Sequence, residues 1–236
     1  MSRSLQARGE PRVAHRTRRV LPTIVEDMTE RTSADWDARY SETPAPWGGT
    51  PAAAVVERLS TMEPGTALDL GCGDGRHARL LAQMGWDVVG VDVSPEAIRI
   101  AAEHESLGPQ IVYTVGDVCN WVPVYDAQVT GDDRFTSGKF DLVLGAYLHL
   151  PMHQLRDVLK RSQAWLKPHG ALLYLGHAAE NLRHGIGGPQ DSAVLPTVAD
   201  LATASAGMRV IRLEHMVRPA GHAQAVDVLL HAENWE

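Results

Sequence analysis

The stretch "ALDLGCGDGRHA", residues 67–78, decides how the rest of the chain is read. A short apolar run carrying Asp69 ends in Gly71, Gly73 and Gly75, and a helix-like pattern follows at once. Glycine lets the backbone turn sharply and lets a ligand approach where a Cβ would otherwise stand. In an open α/β sheet, a turn after the first strand lies at the switch point where ligands bind. A dinucleotide site calls for G-x-G-x-x-G, whose last small residue permits close packing of helix on strand. Here the spacing is G-x-G-x-G, and Arg76 stands where that small residue belongs. There is no G-x-x-x-x-G-K-[ST] to hold a triphosphate, and Asp69 beside the loop would repel phosphate. A ligand with a cationic amino-acid end would find that carboxylate attractive.

Outward from the loop, buried strands alternate with helices. "TALDL" precedes it, "GRHARLLAQMG" follows as a helix stopping at Gly85, and "WDVVGVDVS" is a second strand. The next helix has Ser94 as N-cap and Pro95 at its first position, and Gly108 closes it. "QIVYTVGD" and "KFDLVLGAYL" are the third and fourth strands, the latter continuous enough to be covered on both faces. "PMHQLRDVLKRSQAWLKPHG" reads as a helix stopped at Pro168–Gly170, "ALLYLGH" as a fifth strand and "TVADLATASAG" as a helix. "MRVIRLEHMVR" and "AQAVDVLLHA" close the chain as an antiparallel pair. The alternation predicts an α/β fold, a mainly parallel sheet with helices on both faces. Residues 122–138 and 178–196 interrupt it as turn-rich loops, the second near the ligand end.

The strand ends define the ligand further. Asp92, closing "VVGVDVS", is placed to accept two hydrogen bonds from ribose hydroxyls. Asp117, in "VGDV", is placed to accept from an adenine amino group, or it merely ends its strand. Val93 and Val118 can sandwich the base. A nucleoside with a zwitterionic tail and no phosphate is best matched by S-adenosylmethionine. Cys72, inside the turn, is a small filler of this site with no base nearby to make it a nucleophile.

With "LDLGCGDG", "VVGVDVS", "VGDV" and "FDLVLGAYLHL" in this order, the chain resembles the class I S-adenosylmethionine-dependent methyltransferases over about residues 33–232. The resemblance implies a Rossmann-like, seven-stranded sheet of order 3-2-1-4-5-7-6 with strand 7 antiparallel. It further implies that Asp69 and Gly71 hold the methionine end, that Gly73 makes close backbone contact, and that Asp92 and Asp117 hold ribose and adenine. The product would be S-adenosyl-L-homocysteine.

For the acceptor, the fourth strand ends in "GAYLHLP" where base- and amide-methylating families carry N-P-P-Y or D-P-P-Y. Gly145 joins the cofactor set there, and Tyr147 and His149 are the catalytic candidates. His149 is either a base working near neutral pH or a helix cap. Tyr147 either lines the acceptor pocket or packs. His177, at the end of the fifth strand, is a further candidate. Displacement at a sulfonium methyl, already a good leaving group, requires no metal, and Pro151 between His149 and His153 breaks any HExxH geometry. "WDARYSETPAPWGGTP" supplies Trp36, Tyr40 and Trp47, either a lid over the cofactor's sulfonium or a staple for an N-terminal helix. This segment resembles the small-molecule branch that includes tellurite-resistance and thiopurine-type S-methyltransferases. The acceptor implied is a thiol, a chalcogen or another small O or N nucleophile.

The bulk numbers limit the alternatives. The 236 residues, 44% hydrophobic, suffice for one domain with a real core. A net charge of −7 argues against a nucleic-acid partner, and no apolar run approaches the length of a membrane span. Two cysteines, Cys72 and Cys119, without a C-x-x-C or secretory signal, point to the cytoplasm. Residues 1–27 are basic with little apolar content and read as a disordered tail, or as an over-extended start with Met28 as initiator. Residues 28–236 then form one methyltransferase-like domain, with 28–60 a helical extension or lid. Oligomeric state is not written in the sequence. Two competing readings are a nicotinamide-dependent oxidoreductase and a non-catalytic S-adenosylmethionine-binding protein.

Overall fold

The apolar runs become the strands expected of them. The computed structural model describes residues 31–104, 111–123, 135 and 138–235. The basic segment 1–27 and most of the 122–138 loop lie outside the described residues. Strands β1 (Thr66–Leu70), β2 (Asp87–Asp92), β3 (Ile111–Val115), β4 (Phe140–Ala146), β5 (Leu166–His177), β6 (Arg209–Ala220) and β7 (Ala223–Glu233) form one sheet of order β3-β2-β1-β4-β5-β7-β6. The first five run parallel, whereas β7 is antiparallel to both β5 and β6. This is the order expected from the resemblance.

Both faces of the central strands are covered, which is why they read as unbroken apolar runs. On one face Leu68, Leu70, Val143, Leu172 and Tyr174 join a single buried cluster. On the other, Ala67, Leu142, Leu144, Leu173 and Leu175 join a second. The covering helices are α3 (Arg76–Gln83), α4 (Pro95–Glu103), α5 (Met152–Ser162), the short α6 (Asn181–His184) and α7 (Val198–Ala204). Ser94 caps α4 by accepting from the Ala97 N–H at 3.0 Å, as the Ser-Pro start predicts.

One boundary differs. The helix expected to run to Pro168 ends at Ser162, passes through a 3-10 turn and gives way to β5 at Leu166. Trp165 and Leu166 are buried, and Leu166 pairs with Phe140 across an irregular step in the ladder. Burying these two side chains against β4 draws the chain out of the helix before Pro168 can stop it.

Two N-terminal helices precede β1: α1 (Ser33–Glu42), and α2 (Ala53–Leu59), whose Val55 and Leu59 join the second buried cluster. A Thr32–Asp35 capping box starts α1. Asp37 accepts from the Glu96 N–H and the Ser94 hydroxyl, and the Ser33 hydroxyl donates to the Val93 carbonyl. These bonds fasten α1 to the turn after β2. At the start of α2 the Ala52 N–H donates to His77 Nε2 at 3.2 Å. Burial, with Arg76 beside it, lowers the His77 pKa to about 3, so its ring is neutral and free to accept.

Candidate active site

The glycine turn folds back over the end of β2. Gly71, Gly73 and Gly75 have φ of 66°, 56° and 79°, a region costly to any residue with a Cβ. The N–H groups of Gly71 and Cys72 both donate to the Val91 carbonyl, and the Gly73 N–H donates to Asp92 Oδ2 at 2.9 Å. Asp92 Oδ1 accepts from the Ser94 N–H, also at 2.9 Å. One carboxylate therefore latches the loop to the start of α4, and each oxygen keeps a further lone pair for a ligand.

Asp69 lies beneath this loop, 1% exposed. It accepts from the Ala78 N–H, but its Oδ2 has no hydrogen-bond partner. Burial, followed by the charge of Asp92, raises its pKa to about 7. Such an orphaned acceptor under a loop lined by Asp92 and Asp74 suits a cationic group and opposes a pyrophosphate.

Above the loop, a cavity of about 1520 Å³ runs along the carboxyl ends of the strands. Gly71, Cys72, Gly73, Asp92 and Val93 line one end of it, and Asp117 and Val118 line the wall after β3. Asp117 is exposed, and its oxygens accept from the Cys119 N–H and the Asn120 amide, shaping its own turn. Asp69 and Gly145 are absent from the lining and lie behind the wall. Gly145 instead packs against the Tyr174 ring.

Trp36 and Trp47 line the cavity from α1 and the segment after it. Trp47 stands 6.0 Å from Trp36 and 5.8 Å from Tyr40, ring centre to ring centre. Trp36 and Tyr40 also pack on Ala97 and Ile100 of α4, as a staple for α1 would. Arginines already lie over the indoles, Arg31 at 5.0 Å from Trp36 and Arg39 at 5.3 Å from Trp47. Arg76, the residue out of place for a dinucleotide loop, donates to the carbonyls of Trp47 and Gly48 and ties this segment to α3.

The other end of the cavity is built from four strands. Tyr147 and His149 follow β4, His177 ends β5, Arg218 lies on β6 and Asp227 on β7. All five line the cavity. Asp227, 1% exposed, accepts at Oδ2 from the Tyr147 hydroxyl at 2.9 Å and from Arg218 Nε at 2.6 Å. Its Oδ1 lies 2.9 Å from His177 Nδ1, off the line of an ideal hydrogen bond. Burial pushes the Asp227 carboxyl up, but His177 and Arg218 outweigh it and hold it below the ordinary value. Tyr147 occupies φ 59°, a strained conformation of the kind that collects at functional sites.

His149 stacks on His177, rings 8° from parallel with centres 5.5 Å apart. Its Nε2 is buried without a partner. Burial, followed by neighbouring His177, lowers its pKa to about 3. A ring held so low is neutral at physiological pH but a weak base, against the expectation drawn from the ordinary histidine value. It caps no helix either, since Pro151 is the N-cap of α5 and no side-chain bond caps that end.

Arg218 and Asp227 were not singled out in the sequence. The available signal was Asp227, a lone acid in the otherwise apolar "AQAVDVLLHA", because a charge inside a covered strand needs partners. The 178–196 loop closes over this end, with Gly185–Gln190 on the cavity wall. A Cβ on Gly188, at φ 73°, would fall 2.5–2.7 Å from the His177 ring, whereas one on Gly187, at φ 74°, would meet nothing. Gly187→Ala should therefore cost about 1–2 kcal/mol for the left-handed backbone alone, and Gly188→Ala distinctly more. Equal melting temperatures for the two variants would show that the loop yields instead of pressing on His177.

Comparison with known proteins agrees with this architecture. Residues 67–170 match the family described as methyltransferase domain. A trans-aconitate 2-methyltransferase from Delftia acidovorans is 33% identical over 75 residues, covering 31% of this chain and 27% of that protein. The chain thus spans under a third of that relative's length. The N-methyltransferase NodS from Bradyrhizobium japonicum, solved with S-adenosyl-L-homocysteine, superposes with a TM-score of 0.66 at 18% identity, covering 87% of this chain and all of NodS. TehB from Haemophilus influenzae gives a TM-score of 0.62 at 14% identity over 84% of this chain and 67% of its own. Residues 67–170 are thus similar to the methyltransferase domain family, and the chain has the fold of the class I methyltransferases.

Proposed function

We propose that the protein transfers the methyl group of S-adenosylmethionine to a small-molecule nucleophile. The observation that carries this reading is the two-ended cavity. Carboxylates and a glycine turn stand at one end, and a polar, aromatic cluster on β4–β7 stands at the other. When bound, S-adenosylmethionine supplies a methyl group on a good sulfonium leaving group. Asp92 would hold its ribose and Val93 and Val118 its base, with Asp117 at the base edge. Asp69, through the loop above it, would offset the charge of the amino-acid tail. The aromatic cluster of Trp36, Tyr40 and Trp47 excludes water above the reacting centre, and alignment with water exclusion is most of what such a displacement needs.

The domain match and the bound product described for NodS support the cofactor. They weigh against the nicotinamide alternative, as does Arg76 reaching away from the loop. The chain's net charge of −7 favours a small acceptor over nucleic acid, and among the described residues no helix is long and apolar enough to cross a membrane.

Calorimetric titration with S-adenosyl-L-homocysteine and with NADH tests the cofactor. Micromolar-range binding of the first and none of the second is the expected result, and the converse removes the reading. Mass spectrometry on thiol, selenite, phenol and amine acceptors then tests catalysis. Cofactor binding with no methylated product would leave a binding protein rather than an enzyme.

A further inference from the structure

We infer that His177, positioned by Asp227, is the general base of the site, and that the acceptor it serves is a compound bearing a protonated hydroxyl, best an aromatic one. This rests on the methyl-transfer reading above. Three observations carry it. His177 Nδ1 is buried and set 2.9 Å from the Asp227 carboxylate, which leaves the opposite edge of the ring to the cavity. Asp227 is itself fixed by the Tyr147 hydroxyl and by Arg218, so its carboxylate cannot swing away. Rings crowd the same corner, with Tyr147 5.2 Å and His149 5.5 Å from His177 between centres, leaving flat surfaces beside the base.

A carboxylate behind an imidazole fixes its tautomer and stabilises the imidazolium formed when the ring takes a proton. Such a pair adds little for a thiol, whose ordinary pKa of about 8.5 leaves a useful anionic fraction near neutrality. It adds much for a phenolic hydroxyl, with an ordinary pKa of about 10, because the neutral oxygen is a poor nucleophile until its proton leaves. In the step, the acceptor O–H bond breaks and its proton passes to His177 Nε2. The oxygen electron pair forms the new O–CH₃ bond while the S–CH₃ bond breaks, its pair remaining on sulfur. The products are a methyl ether, a neutral thioether and an imidazolium facing Asp227, and the imidazolium then returns its proton to water.

The groups facing His177 are Asp227 from β7, Tyr147 and His149 from the segment after β4, and Gly188 from the closing loop. Arg218 acts on it through Asp227, and Arg76 lies 5.7 Å over the Tyr147 ring. Asp227 is the one anion among them. The grouping is not a metal centre, since among the described residues no set of three His, Cys, Asp or Glu is placed to hold an ion.

The test uses the full chain labelled with ¹⁵N-histidine. His177 is expected to carry its neutral-form proton on Nδ1, and Asp227→Asn to release that preference. Wild-type His177 protonated on Nε2 overturns the assignment without any variant, which matters because Asp227→Asn can unfold the chain. Turnover is then measured on a phenol, a catechol, a thiophenol, selenite and a primary amine. Hydroxyl compounds should be methylated fastest, and Asp227→Asn should move the acid limb of their pH profile. Absence of S-adenosyl-L-homocysteine binding, read by calorimetry on the same samples, removes the methyl-transfer reading itself. Binding with thiol, selenite or amine preferred, with no hydroxyl compound turned over, or with an acid limb that ignores Asp227→Asn overturns this inference alone.

Discussion

Asp92→Ala is expected to weaken S-adenosyl-L-homocysteine binding by about 10–100-fold. The same carboxylate latches the glycine loop, through the Gly73 N–H, and the start of α4, through the Ser94 N–H. At 8% exposure neither donor has ready access to water once the carboxylate is gone. Loss of charged hydrogen bonds to ligand and loop is worth about 1–3 kcal/mol, and each 1.4 kcal/mol is roughly tenfold in affinity. Asp92→Asn separates shape from chemistry. Its amide would turn a donor toward either Gly73 or Ser94, so it should bind nearly as poorly as alanine. Calorimetry well below each variant's melting temperature reads the difference. Affinity within twofold of wild type for Asp92→Ala would remove the ribose from Asp92.

The sheet order and the strand positions were legible because covered parallel strands leave unbroken apolar runs, and because Ser94-Pro95 and the glycine turn punctuate them. The early end of α5 was not legible. Pro168–Gly170 is a strong local stop, and only tertiary burial of Trp165 and Leu166 moves the boundary ahead of it. At the site, motif position located Asp92, Val93 and the glycine loop, since these follow directly from strand ends. The end of the cavity built on β4–β7 was half visible. Tyr147, His149 and His177 sit at ends of parallel strands, where ligands are sought. Asp227 and Arg218 come from the antiparallel pair, and pairing of His177 with Asp227 across β5 and β7 brings them in. No spacing in the chain announces that register. His149 illustrates a different gap, because its type suggested a base and only the burial of its Nε2 shows how far its basicity is suppressed.

Asp69→Asn is expected to grow more stable relative to wild type as pH rises from 5 to 8.5. Asp69 and Asp92 are both buried, and burial followed by the charge of Asp92 raises Asp69. Asp92 has two backbone N–H donors to support its charge, whereas Asp69 has the Ala78 N–H and an unpartnered Oδ2. Asp69 therefore holds its proton in the ligand-free fold up to about pH 7, where burial has raised its pKa. Below about pH 4 the folded and unfolded chains both hold this proton. Between about 4 and 7 only the folded chain holds it, so rising pH drains stability from the fold. Keeping Asp69 charged in the folded state above that window costs about 4 kcal/mol at one unit per 1.36 kcal/mol. Asparagine avoids the charge but buries an amide donor without a partner, a fixed cost of about 1–3 kcal/mol. The variant should then gain on wild type between pH 5 and pH 8.5 and melt higher at pH 8.5, a relative swing of roughly 5–10 °C for a chain of this size. Ligand binding should invert the order, because a cationic tail above the loop repays the Asp69 charge and asparagine cannot respond. With saturating S-adenosyl-L-homocysteine, wild type should be the more stable protein at both pH values. Melting curves that stay parallel across this range would mean that Asp69 is already ionised in the ligand-free fold, and that the loop rather than its buried carboxylate receives the cation.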